Sequence, residues 1–161
     1  MSIQIRTARP GDEGEIHESH MRSIRGVCVI DHGEDEIRGW GYRNLEERWQ
    51  EEIRNGCIWV VEDDKIRGFG YLCFFSEASQ THADLHALYL TPEVIGKGLG
   101  RKLIEIMINQ ARDRGAKSIQ LESSITAHKF YQSQGFKDRG PKQKIEIAGY
   151  PVTCFPMIFI L

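Results

Sequence analysis

The apolar positions of this chain switch between a period of two and a period near four, and the switches divide it into strands and helices. Ile3 and Ile5 alternate with Gln4 and Arg6, which predicts a half-buried first strand closed by Pro10-Gly11. Asp12 then stands where a helix cap would, and Ile16, His20 and Ile24 share one face of a helix running to about residue 25. Residues 26–41 have mixed character, with a short helix over about 34–40; a further helix is predicted over 45–55 and ends at Asn55-Gly56. Residues 57–62 and 66–75 read as a hairpin around Asp63-Asp64-Lys65, and Gly68 and Gly70 mark a bulge or a close backbone approach.

A polar stretch over 76–81 leads into a strand that is apolar over 85–90 and ends at Thr91-Pro92. Leu99, Leu103, Met107 and Ala111 then recur every four positions, with Ile104 and Ile108 widening the same face, so an amphipathic helix spans 99–114 and Gly115 stops it. A short strand over 118–121 follows, then a helix from Ser124 or Thr126 to Gln134 with Gly135 as its stop. Two strands near 143–148 and 152–160 flank Gly149-Tyr150-Pro151, and Pro156 implies a bulge or an edge. Counting the longer elements, the order is β-α-α-β-β-β-α-β-α-β-β: an α/β (α+β) fold with a mixed, mostly antiparallel sheet and helices on its faces.

One junction in this order carries chemistry. Gly96, Gly98 and Gly100 lie between the strand ending at Leu90 and the helix beginning at Leu99. Glycines let the backbone approach a ligand without a Cβ in the way, and the first turn of a helix offers unpaired N–H groups at the positive end of its dipole. An anion, a pyrophosphate above all, is favoured there. The spacing fits neither a Rossmann fingerprint nor a P-loop, which argues against a nucleotide-triphosphate or dinucleotide binder. Taken alone, the glycines also fit a tight strand-to-helix turn.

Composition narrows the classes. At 161 residues with 21 basic and 23 acidic side chains, the formal charge is −2, so no field points to nucleic acid or a membrane surface. The length suits one domain over 1–161. No membrane-length apolar run or signal pattern is evident, so a cytoplasmic protein is expected. The four cysteines are far apart without a C-x-x-C pair, so neither a metal site nor a redox dithiol is expected.

With the glycine junction and the element order in place, the chain resembles the GNAT superfamily of N-acetyltransferases over essentially its whole length. The family's [QR]-x-x-G-x-[GA] pattern falls on Ile95-Gly96-Lys97-Gly98-Leu99-Gly100, and its N-x-x-A-x-x-F-Y-x-x-x-G-F pattern falls on Ser124, Ala127, Phe130, Tyr131, Gly135 and Phe136. Ile95 stands where the family has Gln or Arg, and Ser124 replaces its Asn. The run from Leu121 to Ala127 and the first helix, rich in His and Arg, also look like a bacterial subgroup of acetyltransferases. The resemblance implies an acetyl-CoA-dependent N-acetyltransferase acting by direct transfer on a primary amine of a small molecule or peptide, without nucleic acid or membrane partners and compatible with a homodimer. A chain that kept the cradle and lost catalysis, as a regulatory acyl-CoA-binding or interaction domain, is the alternative.

The expected chemistry has three parts. The amides near Gly96 to Arg101 would hold the pyrophosphate, with Lys97 and Arg101 as charge partners. Deprotonating an alkylammonium of reference pKa ~10.4 near pH 7 calls for a base, and Asp84, His86 and Glu122 are the candidates; each also reads as an ordinary cross-strand polar residue. Asp84 and His86, two apart, would share a strand face. By the resemblance, Tyr131 protonates the departing thiolate, donors near Leu88, Tyr89 and Leu90 meet the pantetheine arm and the thioester carbonyl, and Ser124 and Ala127 belong to the CoA-contacting motif. As a core aromatic beside Phe130 and Phe136, Tyr131 has a plainer reading too. His20, His32, Trp40 and Tyr42 are the candidates for the acceptor pocket, and the acidic triplet from Glu34 to Glu36 reads either as an attraction for a cationic amine or as a solvated helix start.

Overall fold

In the computed structural model, which describes residues 2–161, the alternating start of the chain forms strand β1 (Gln4–Thr7), and helix α1 (Glu13–Ser23) follows. Asp12 precedes α1 without capping it. Its carboxylate instead accepts from the Arg6 guanidinium at 2.7 Å and from the Arg9 backbone N–H at 2.9 Å. A π-helical turn (Ile24–Cys28) joins α1 to α2 (Val29–Trp40), longer than the helix expected over 34–40. Gly33, at φ 78° and ψ 163°, breaks α2 inside, so the expected helix is the half beyond the kink. The helix expected over 45–55 shrinks to α3 (Trp49–Arg54), because residues 41–48 form turns and irregular chain instead. Three helices thus separate the first two strands, the short one over 34–40 included.

Strands β2 (Ile58–Glu62), β3 (Ile66–Glu77) and β4 (Gln80–Leu90) form an antiparallel meander. Both β3 and β4 run past their expected limits because Ala78 and Ser79 turn at positive φ (49° and 64°), a tight hairpin with no glycine in it. After a short 3₁₀ turn (Pro92–Val94) come α4 (Leu99–Asp113), β5 (Ser118–Ser124), α5 (His128–Ser133), the two-residue β6 (Lys137–Asp138), β7 (Gln143–Ile147) and β8 (Tyr150–Ile160). The sheet order is β1-β2-β3-β4-β5-β8-β6, with β7 also on β8. Pro156 lies in neither an edge strand nor a bulge. It occupies the gap on the outer side of β8 between β7, whose pairing begins opposite Cys154, and β6, which pairs from Met157, so its missing N–H costs no ladder bond.

The two faces of the sheet bury different partners. Leu103, Met107 and Ala111 of α4 pack without exposure against Leu72 and Ile119, where each large side chain contributes roughly 1.5–3 kcal/mol. On the other face, Ile16, Trp49 and Ile53 from α1 and α3 cover Ile58, Val60 and Phe69, and Trp40 of α2 packs with Ile24 and Val152.

Strands β4 and β5 run parallel, yet their register holds only at Ala83↔Ile119 and Asp84↔Gln120. Beyond it β4 stays with β3 and β5 with β8, so the sheet forks toward the strands' C-terminal ends. A bulge helps to open the fork: the β3–β4 register steps from Tyr71↔Ala87 to Leu72↔Leu85, leaving His86 without a partner. As a result Leu85 and Leu88, three apart, both pack with α4, while Ala87 turns to Trp49 and Phe69.

Candidate active site

The fork is lined by main-chain donors on its β4 side. The Thr91 N–H points the other way and bonds the Arg67 carbonyl at 2.8 Å, so the alternation of the strand turns the N–H groups of Leu88 and Leu90 toward the fork. Tyr89, between them, sends its ring to the opposite face, 4.3 Å from the His20 ring.

Past the end of β4 the glycine turn delivers the chain to α4. Gly98 is the residue before the helix and sits at φ +76°, a conformation that L side chains rarely adopt. Nothing lies within 4 Å of a Cβ built on Gly96 or Gly98, so the space above the turn is open to a ligand. The first N–H of α4 to reach back is that of Lys102, to the Gly98 carbonyl at 3.2 Å, which leaves the N–H groups of Leu99, Gly100 and Arg101 free at the dipole's positive end. Gly100 serves packing instead. A Cβ there would stand 3.1 Å from Phe130 Cζ, so the glycine lets α5 pack on α4. Leu99 is buried in the core, Ile95 is 47% exposed, and Arg101 pairs with Glu105 at 3.2 Å.

Beyond β5, Ser124 Oγ accepts the Ala127 backbone N–H at 3.1 Å and turns the chain into α5, a bond within reach of the asparagine it replaces. The turn sets Tyr131 in an aromatic cluster, with ring centroids 5.4 Å from Phe130 and 5.5 Å from Phe136. Burial pushes the Tyr131 hydroxyl pKa above its usual value, with the nearby Cys28 thiol adding to the effect. The hydroxyl therefore stays protonated across the working pH range, and giving its proton away costs more than it would for a solvated tyrosine.

On the opposite face a cleft of about 840 Å³ opens between α1, the turn before α3, β4 and the β7–β8 hairpin. All three candidate bases border it. His86 Nδ1 lies 3.7 Å from Asp84 Oδ2, so the two share a face as expected, and the Arg48 guanidinium donates toward His86 Nε2 at 3.4 Å. Glu122 accepts from Arg139 at 2.9 Å and from Gln143 at 3.4 Å. Of the four proposed acceptor contacts, His20, Trp40 and Tyr42 line the cleft. His20 is 8% exposed; burial, then the positive charge of Arg43, drives its pKa well below the ordinary value, so the ring is neutral.

His32 is corrected. Its side chain is wholly buried, with Nε2 accepting the Ile125 backbone N–H at 3.0 Å and Nδ1 donating to Glu36 at 2.8 Å, so it ties α2 to the β5–α5 turn rather than walling the pocket. Glu36 likewise does not greet a substrate. Burial alone would raise its pKa, but the Thr153 N–H, His32 and the Thr153 hydroxyl hold the carboxyl below the usual range. Sequence reasoning missed Arg43, Glu46 and Arg48; at the tip of the β7–β8 hairpin, Tyr150 seats on Gly39 at the cleft's rim. Gly41 and Asn44 were the available sign that a turn, not a helix, begins the 41–48 segment.

The sheet is thus forked at a parallel pair, with free amides at a glycine turn on one side and titratable side chains on the other. The chain belongs to the GNAT acetyltransferase family: the Acetyltransferase (GNAT) domain matches residues 28–157. It is 39% identical over 59 residues to the L-amino acid N-acyltransferase MnaT of Escherichia coli (strain K12), covering 34% of each chain. It is 32% identical over 63 residues to an IAA acetyltransferase of Azospirillum brasilense, covering 37% of this chain and 41% of that one. The matched stretches thus span well under half of these curated relatives. The fold is shared with the PaiA N-acetyltransferase of Thermoplasma acidophilum, solved in complex with coenzyme A, at a TM-score of 0.77 and 23% identity over 100% of both chains.

Proposed function

We propose that this chain is an acetyl-CoA-dependent N-acetyltransferase, one domain over residues 1–161, that acetylates a primary amine of a small molecule or peptide by direct transfer. The observation that carries the reading is the fork: free amides at Leu88 and Leu90 lie between a glycine cradle and a cleft bordered by every candidate base. The residues present fit the donor, since among the described residues the Leu99, Gly100 and Arg101 N–H groups have no main-chain partner and the space above Gly96 and Gly98 is open. Bound acetyl-CoA supplies an activated acetyl thioester.

Every other step falls to the chain. The Gly96–Arg101 amides bind and orient the pyrophosphate, with Lys97 adding charge. Leu88 and Leu90 N–H groups polarise the carbonyl where negative charge develops. Glu122 or the Asp84–His86 pair takes the proton of the incoming amine, directly or through water. Tyr131 presents its hydroxyl proton to the departing sulfur. Because burial disfavours tyrosinate, this contact acts as a hydrogen bond with proton return close behind rather than as a long-lived ionisation.

Release of free thiol from acetyl-CoA with a panel of primary amines tests the reading. Amine-dependent release with a matching N-acetyl product is expected. Binding of acetyl-CoA with no amine accelerating its cleavage over water would identify a non-catalytic acyl-CoA-binding domain instead.

A further inference from the structure

The cleft carries an arrangement that proton transfer does not use. Arg43 and Arg48 both enter it from the turn before α3, and both pair with a single carboxylate, Glu46, at 3.7 and 2.5 Å. Among the described residues no other carboxylate pairs with either guanidinium, so two positive charges share one negative charge. Arg43 is the deeper of the two, its side chain 12% exposed, with Nε donating to the Trp40 carbonyl at 3.0 Å and Nη2 lying 3.5 Å from His20 Nε2. An arginine sunk into a cleft with only a long ion pair and a neutral imidazole beside its fork is poorly compensated for the water it has lost. His17, also on the cleft, is held below its ordinary pKa chiefly by burial and so adds little charge.

The carboxylates gather elsewhere in the cleft, with Asp84 at the root of the fork and Glu122 and Glu146 toward the β7–β8 hairpin. The cleft therefore carries guanidinium charge at one end and carboxylate charge at the other, and the two ends are close. Arg48 stands 3.4 Å from His86, which stands 3.7 Å from Asp84, so one imidazole separates the guanidinium from the acid nearest the fork.

We propose that Arg43 and Arg48 hold a carboxylate of the acceptor, with Glu46 occupying that position until the acceptor arrives, so that the acceptor is a short amino acid whose amine points to the fork. This rests on the acetyl-transfer reading above. The planar guanidinium fork suits a carboxylate, and Glu46 shows that one fits there.

The test compares an L-amino acid with its carboxamide, L-phenylalanine and L-phenylalaninamide, as acceptors. The quantity read is the ratio of their kcat/KM values in each variant against the wild type, which cancels the different basicities of the two amines. Arg48→Gln should lower the ratio about tenfold or more, carried by KM for the acid. Glu46→Gln should raise it several-fold, a gain that a misfolded protein cannot produce. An unchanged ratio in both variants overturns the proposal. If no amine is acetylated at all, the transfer reading fails and the anion site is judged by calorimetry alone. Binding of N-acetyl-L-phenylalanine to the CoA-saturated protein, weakened about tenfold or more by Arg48→Gln, supports the site, and binding equal to that of its amide refutes it.

Discussion

The two sides of the fork are built from different materials. On the proposed donor side the groups that meet the ligand are main-chain amides at Leu88, Leu90 and the start of α4, and side chains matter there mostly by being small, as at Gly98, or by packing, as at Phe130. On the cleft side the charged groups are side chains, delivered by α1, α2, the turn before α3, β4, β5 and β7. A main-chain site leaves a compact local signature, because three glycines and a helix start must be adjacent in sequence. A site of converging side chains leaves none, since Arg43 and Glu122 come to line one cleft only after the sheet has formed. One side can therefore stay fixed while the other is retuned.

The largest effect is expected where the two sides meet. Tyr131→Phe keeps the ring between Phe130 and Phe136 and removes the proton, so kcat should fall ~10²-fold or more with acetyl-CoA affinity little changed. A thioester whose thiol has a lower pKa should partly rescue it, because that leaving group needs less protonation. Wild-type kcat with chemistry rate-limiting would make Tyr131 a core aromatic.

On the cleft side, Glu122→Gln and His86→Ala separate the bases. The variant that removes the true base should lower kcat/KM by roughly 10²-fold and remove that group's inflection from the acid side of the pH profile, since the side chain that titrated there is gone. If that acid limb survives in both, neither is the base.

On the donor side, Gly98→Val places a branched side chain at φ +76° in the space left open for the pyrophosphate, and CoA affinity should drop about tenfold or more by calorimetry. Gly100→Val meets Phe130 instead and should cost relatively more in melting temperature, so the two variants tell cradle from packing.

The smallest effect is structural. Glu36→Gln weakens the tie between α2 and β8 and should cost about 1 kcal/mol, or roughly 3 °C in Tm. Because the folded carboxyl pKa is depressed, this contribution is fully present above the unfolded value of ~4.3 and is lost as pH falls through the folded one. The Tm difference between wild type and variant should therefore shrink in acid.

The same contrast explains what could be read in advance. The α4 face, the 63–65 turn and the fork's glycine approach follow from local patterns, and the structure has them where periodicity and turn chemistry put them. The 24–48 segment did not yield, because its π turn, the kink at Gly33 and the burial of His32 depend on partners as distant as Ile125 and Thr153. The reach of β4 back to Gln80 was hidden for a related reason: Ala78 and Ser79 carry no turn signal yet adopt positive φ.

Everything proposed for the chemistry depends on the donor lying in the fork with its pyrophosphate on the glycine turn. Titrating the protein with CoA while following its backbone amides by NMR reads that placement directly. Saturable shifts concentrated at Leu88, Leu90 and residues 96–101 are expected, with the turn before α3 little affected; saturable binding that leaves those amides unmoved would put the donor elsewhere.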